Sequence, residues 1–179
     1  LFTAVLLAHG QASGFNFSLA YGHSLVQTSS NTVNASAVIG LAFQHDFDRR
    51  FGVALDFFLN SDGNASIHSN DWIYSAKYFF ADNDATAFYL GTFFGYQHVK
   101  GSWREYTGTG GNGYGTYKQT DVSKAQFPIG IRAGIRGGLE GYFAELFGQV
   151  GYAIGNGDLY TVDGKKVTSS PVYLTLGVS

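Results

Sequence analysis

From Gly14 onward the chain alternates. Phe15, Phe17, Leu19 and Tyr21 are interleaved with Asn16, Ser18, Ala20 and Gly22, and the same period of two recurs through most of the sequence. Successive side chains leave a pleated backbone on opposite sides, so this pattern marks strands with one apolar face. It predicts eight strands, at 14–25, 35–47, 51–60, 71–81, 86–100, 121–136, 142–155 and 170–179. The connections alternate too. Those at 48–50, 81–85 and 137–141 are tight turns, whereas 26–34, 60–70, 101–120 and 156–169 are longer, polar and rich in Gly, Ser, Thr and Asn. Short and long connections alternating around an even number of antiparallel strands predict a closed, eight-stranded, up-and-down transmembrane β-barrel, with short periplasmic turns and longer extracellular loops.

The sixth strand shows what the two faces are for. In FPIGIRAGIRGG, Phe127, Ile129, Ile131, Ala133 and Ile135 point one way, and Pro128, Gly130, Arg132, Gly134 and Arg136 point the other. No Asp, Glu, Lys or Arg is assigned to the apolar face of any predicted strand, and those of the strand interiors fall on the opposite face. A Lys or Arg facing lipid at the bilayer midplane costs about 2–4 kcal/mol, so an apolar face cleared of charge is what lipid contact selects. Tyr21, Trp72, Tyr78, Tyr96, Tyr142 and Tyr152 lie on that face towards strand ends, where aromatic girdles sit at the membrane interfaces. The opposing architecture is a soluble, lipocalin-like ligand-binding barrel with the apolar face inside. Its exterior would then be mostly Gly, Ala, Ser and aromatic residues, too poor in Lys and Glu for solubility.

Counted inward from the short-turn ends, Asp56, Lys77, Arg132 and Glu145 fall at nearly one depth on four strands, with Arg136 and Asp46 closer to the periplasmic mouth. Buried charges persist when paired and hydrogen-bonded, which predicts an interior ionic network. A barrel of eight strands has room for packed side chains and not for a wide channel. Inward Phe58, Ile73, Phe79, Phe93, Phe143 and Phe147 would occlude it further, so the interior is expected to be plugged. Pro128 removes a ladder donor in a barrel that has no edge, and a local bulge is expected there.

Composition narrows the class. The chain has 179 residues, enough for one domain, with 13% charged residues, 17% aromatic residues and no Cys. A disulfide framework and a thiolate metal site are excluded, and a formal net charge of −2 gives no electrostatic reason to expect a nucleic-acid partner. The opening LFTAVLLAHGQA reads as the remnant of a secretory signal peptide over residues 1–12, leaving the barrel domain at 13–179.

The strand-turn-loop plan, the inward charge layer and the final VYLTLGVS together resemble the small outer-membrane barrel family that includes the OmpA transmembrane domain, OmpX and the opacity proteins. The likeness covers nearly the whole chain after Ala12, except that such chains usually end in an aromatic residue and this one ends in Ser179. It implies a location in the outer membrane of a Gram-negative-type bacterium, with lipid and lipopolysaccharide as surroundings.

Candidate chemistry is sparse. Gly108-Thr109-Gly110-Gly111-Asn112-Gly113 matches a dinucleotide-binding glycine pattern, but no helix pattern follows, so a mobile loop is expected. With Trp103, Arg104, Tyr106, Tyr114 and Tyr117, the segment 101–120 is the candidate binding surface for host or cell-surface ligands. His23-Ser24, His68-Ser69 and His98 gather at the loop end, and a catalytic triad would need Asp71 or Asp121 to orient a base beside a nucleophile. No spacing fixes such a set, and polar rim residues are the plainer reading. Asp82-Asn83-Asp84 lacks the rest of a calcium loop, and no cofactor is implied. A surface protein is therefore expected, with a narrow pore for water or small ions as the alternative, and a rim lipid-modifying enzyme or a soluble barrel behind it.

Overall fold

The computed structural model describes residues 6–8, 11–23, 26–27, 35–48, 50–62, 66–83, 86–109, 115–139, 142–155, 157–162 and 165–179. In chain order the strands are β1 (Leu6–Ala8), β2 (Gln11–His23), β3 (Val26–Gln27), β4 (Ala35–Asp46), β5 (Phe51–Asp62), β6 (Ser66–Asn83), β7 (Thr86–Thr109), β8 (Gly115–Leu139), β9 (Tyr142–Ile154), β10 (Asp158–Val162), β11 (Lys165–Ser169) and β12 (Val172–Val178). Eight of them, β2, β4 to β9 and β12, form one antiparallel sheet that closes on itself. β12 pairs with β2 at Val178↔Leu19, and β2 pairs with β4 at Phe15↔Phe43. β1 folds back on the start of β2, with Ala8↔Gln11 as the last pair.

The reversal between β4 and β5 forms where the sequence places it. At 48–50 the Asp48 carboxylate accepts hydrogen bonds from the backbone N–H of Arg50 (2.6 Å) and Phe51 (2.8 Å), which pins the reversal between β4 and β5.

Sidedness follows the alternation without a slip. Ile129 and Ile131 are 51% and 52% exposed, while Arg132 between their row and the next is 1% exposed. Phe15, Phe17, Leu41, Leu90, Phe94, Leu146, Leu174 and Leu176 share the outer face. A soluble lipocalin-like barrel would turn that row to the axis, so that reading is excluded. An even-stranded antiparallel barrel wearing hydrocarbon-compatible side chains outside, with every strand paired on both edges, is built for an outer membrane.

Two expectations about the backbone are corrected. Pro128 makes no bulge. The β7–β8 ladder is interrupted opposite it, between Phe94↔Ile129 and Gln97↔Gln126, and resumes in the same register. The β8–β9 ladder runs through Pro128↔Ala153 unchanged. The missing N–H thus leaves a gap in one ladder only, and Phe127 and Ile129 stay on the outer face. The second correction concerns 101–120, which is not a loop. β7 and β8 are 24 and 25 residues long and remain paired through Trp103↔Thr120, Arg104↔Gln119 and Tyr106↔Tyr117, with a register shift before Gly108. Gly108 has φ 126, a conformation open to glycine at little cost. The tip at 110–114, Tyr114 included, lies outside the described residues.

The second hairpin at that end, β10–β11, adds β3 from the first long connection to form a separate three-stranded sheet. Gly155, with φ 85, ends β9 and turns the chain away.

Candidate functional site

Inward alternation on β5, β6, β8 and β9 brings Asp56, Lys77, Arg132 and Glu145 together near the axis, each 2% exposed or less. The Arg132 guanidinium bridges two carboxylates, with Nη1 2.5 Å from Asp56 Oδ2 and Nη2 2.9 Å from Glu145 Oε1. Lys77 Nζ donates to both Glu145 oxygens at 2.9 Å and to Gln44 Oε1 at 2.9 Å. The Tyr89 hydroxyl donates to Glu145 Oε1 at 2.5 Å and accepts from Arg132 Nε at 3.1 Å. Glu145 is the hub, since two cations and a phenol converge on one carboxylate. Charges taken out of water need this density of partners, and charge-assisted hydrogen bonds are the strongest available.

Aromatic rings form the walls of this layer. The Arg132 guanidinium lies 4.4 Å from the Phe147 ring centre, Arg136 lies 4.3 Å from that of Phe79, and Lys77 lies 4.7 Å from that of Tyr89. Such contacts favour cations that have lost their water. Towards the short-turn mouth, Arg136 Nη1 meets Asp46 Oδ2 at 2.6 Å, and Gln44 Nε2 donates to Asp46 Oδ1 at 2.9 Å. Gln44 therefore joins the mouth pair to Lys77, so all six charges expected inside belong to one connected arrangement. Phe58, Ile73, Phe79, Phe93 and Phe147 are buried in the lumen as expected, whereas the side chain of Phe143 lies outside the described residues.

Space for the hub depends on Gly134. A Cβ there would sit 2.6 Å from the Leu146 carbonyl oxygen, 2.6 Å from the Tyr89 hydroxyl and 2.7 Å from the Tyr89 ring. Gly134→Ala should push Tyr89 off Glu145 and lower stability by about 1–3 kcal/mol, the usual cost of overpacking. Urea unfolding in detergent measures it, and Tyr89→Phe made alongside separates the lost hydroxyl contact from the steric part.

A second polar cluster was missed in the sequence. Asp71, 1% exposed, accepts from Ser69 Oγ at 2.6 Å, Gln97 Nε2 at 2.9 Å and the Tyr173 hydroxyl at 3.4 Å. Gln126 Nε2 donates to Gln97 Oε1 in the same cluster. It lies at the long-hairpin end of the lumen. Its available signal was parity, since Asp71 shares the inward face of β6 with Ile73 and Ser75.

Among the described side chains, the rim histidines do not assemble a triad. His68 is exposed on the outside while Ser69 is buried inside, as neighbours on a strand must be. His98 Nε2 is 3.0 Å from Ser123 Oγ on the outer surface, and no carboxylate among the described residues hydrogen-bonds that ring. The side chain of His23, and Ser24 altogether, lie outside the described residues.

Tyr21, Trp72, Tyr78, Tyr96 and Tyr152 stand on the outer face, and the side chain of Tyr142 lies outside the described residues. Phe57 packs on Trp72 with ring centres 4.7 Å apart, and Tyr96 on Phe127 at 5.7 Å, forming a continuous aromatic row near the hairpin end. For the expected binding surface, Trp103, Arg104, Tyr106 and Tyr117 are placed on the paired β7–β8 extension, and nothing is described of their side chains.

No protein-family model matches the chain, and no curated protein matches it. Solved structures do. The chain is similar to neisserial surface protein A, with a TM-score of 0.57 at 15% identity over 92% of this chain and 94% of that one. The N-terminal β-barrel domain of Pseudomonas aeruginosa OprF aligns with a TM-score of 0.46 at 13% identity, over 93% of this chain and 96% of that one. Ail, the attachment invasion locus protein of Yersinia pestis, aligns at 0.40 and 16%, over 96% and 97%. The first of these, with the closed sheet and its apolar exterior, gives the chain the fold of the small eight-stranded outer-membrane barrels.

Proposed function

We propose that this is a non-enzymatic surface protein of the outer membrane, whose barrel serves as an anchor and whose β7–β8 extension makes contacts with host or cell-surface ligands. The observation that carries the reading is a contrast. The lumen is crossed by the Asp56–Arg132–Glu145–Lys77 network and lined by aromatic rings, while β7 and β8 run paired past the outer aromatic row for a dozen residues more. A body closed in this way supports an anchoring role over conduction, and a twin-stranded arm rich in Tyr, Gly, Ser and Thr suits adaptable recognition.

Replacing 103–120 by Asn-Gly, a two-residue hairpin turn, would join Ser102 to Asp121, which already face each other across the ladder. The shortened protein should keep a folded, heat-modifiable barrel and lose adhesion of protein-bearing vesicles to cultured cells. Unchanged adhesion would remove the arm from the proposal. Purified wild-type protein in planar bilayers should show no discrete conductance steps. Regular steps would favour the narrow pore instead.

A further inference from the structure

The outer face is not uncharged to its end. Above the aromatic row Trp72↔Tyr96, with Phe127 beside Tyr96, the next outward positions are Asn70↔His98↔Ala125, followed by His68↔Lys100↔Ser123. The expectation of a charge-free apolar face is corrected at its end, where Lys100 and Asp121, the terminal residues of their predicted strands, stand on the outside. His68, Lys100 and Ser123 are exposed, and His98 is half-buried against Tyr96 and Ser123. Lys124 turns the other way, towards Gly157. Among the residues whose side chains are described, Lys100 is the one Lys or Arg on the outer face at this end of the barrel.

We infer that His68, His98, Lys100 and Ser123 form a docking site for a phosphate group of lipopolysaccharide. His68, Lys100 and Ser123 are directly opposed, an arrangement that holds Cβ atoms about 4.5–5.5 Å apart, and His98 joins them diagonally with Nε2 3.0 Å from Ser123 Oγ, so an ammonium, two imidazoles and a hydroxyl stand within the reach of a single phosphate. Lys supplies a compact point charge that suits a phosphate. Asp121, one position further out opposite Ser102, confines the positive field to this row. Position selects the lipid. The site lies at the long-hairpin end, which faces the exterior, and immediately above aromatic side chains that sit at headgroup level. Below it the Tyr74 and Phe94 rings, stacked with centres 5.3 Å apart, continue into the Ile129 row and offer an unbroken apolar path for acyl chains. A phosphate held there belongs to the outer-leaflet lipid.

The test uses refolded protein in detergent, incubated with diphosphoryl lipid A, with enzymatically dephosphorylated lipid A, or with phosphatidylglycerol, and bound lipid is counted by native mass spectrometry. Wild type should retain diphosphoryl lipid A over each of the other two by roughly tenfold, the factor that one charge-assisted contact supplies. Lys100→Gln combined with His98→Gln should erase that preference, and Arg50→Gln, in a turn at the opposite end, should leave it intact. Equal retention of the phosphorylated and dephosphorylated forms by wild type overturns the inference whatever the variant does. So does phosphatidylglycerol bound as well as lipid A, or a folded double variant that keeps the preference.

Discussion

Glu145→Gln should lower the unfolding free energy of the refolded barrel by about 3–5 kcal/mol, the range for breaking a buried ion pair by removing one partner. The substitution preserves volume and removes one charge, so neither cavity nor clash enters. It leaves Lys77 and Arg132 both buried with Asp56 as the one remaining carboxylate in that layer, and Asp56 contacts Arg132 alone of the two. Lys77 would keep only the Gln44 amide oxygen and the face of Tyr89. Charge balance gives the sharper check. Lys77→Met added to Glu145→Gln returns the layer to one cation and one anion, so the double variant should be more stable than Glu145→Gln alone by about 1–3 kcal/mol, a coupling expected for directly bonded groups. Urea titration followed by tryptophan fluorescence reads both. A Glu145→Gln barrel within about 0.5 kcal/mol of wild type, the spread of ordinary surface changes, would show that water and not Glu145 solvates these cations.

The network was legible in the sequence for a physical reason. Hydrocarbon tolerates no charge on the lipid side, so parity alone sent Asp56, Lys77, Arg132 and Glu145 inward, and the tight turns supplied an origin from which their depth could be counted. Asp71 obeyed the same parity and was missed, because it stands near the start of its predicted strand, where the count from a turn loses its origin. Outside the membrane the rule lapses. Beyond the membrane no face of a strand is required to be apolar, so alternation no longer carries information, and a paired arm of Gly, Thr, Tyr and Ser reads as a loop. The outward placement of Lys100 and Asp121 was hidden likewise, since a strand continuing past the interface may carry charge on either side. Pro128 was misjudged in the opposite direction. Its missing donor was expected to force a bulge, but the two flanking ladders hold the register and the loss is confined to one side of one strand.

Ile131→Arg should prove nearly as costly as the loss of Glu145, although the next residue is already an arginine. Ile131 occupies the middle of the outward row that runs from Phe127 to Ile135, paired with Thr92 on one side and Val150 on the other. A guanidinium there faces acyl chains at the depth where Arg costs about 2–4 kcal/mol, with no carboxylate among the described residues of the outer face at that depth to meet it. Arg132, one position along and facing the axis, finds Asp56, Glu145 and Tyr89. Refolding into lipid vesicles, with stability from urea titration, should show the loss for Ile131→Arg and a smaller one for Ile131→Thr, which separates charge from lost apolar area. Moving the same arginine to Ser123, above the aromatic row, should cost less than about 1 kcal/mol, because the penalty falls towards the interfaces. A flat response across these two depths would mean that the exterior row does not meet hydrocarbon. The alternation of the sequence would then need a different solvent to explain it.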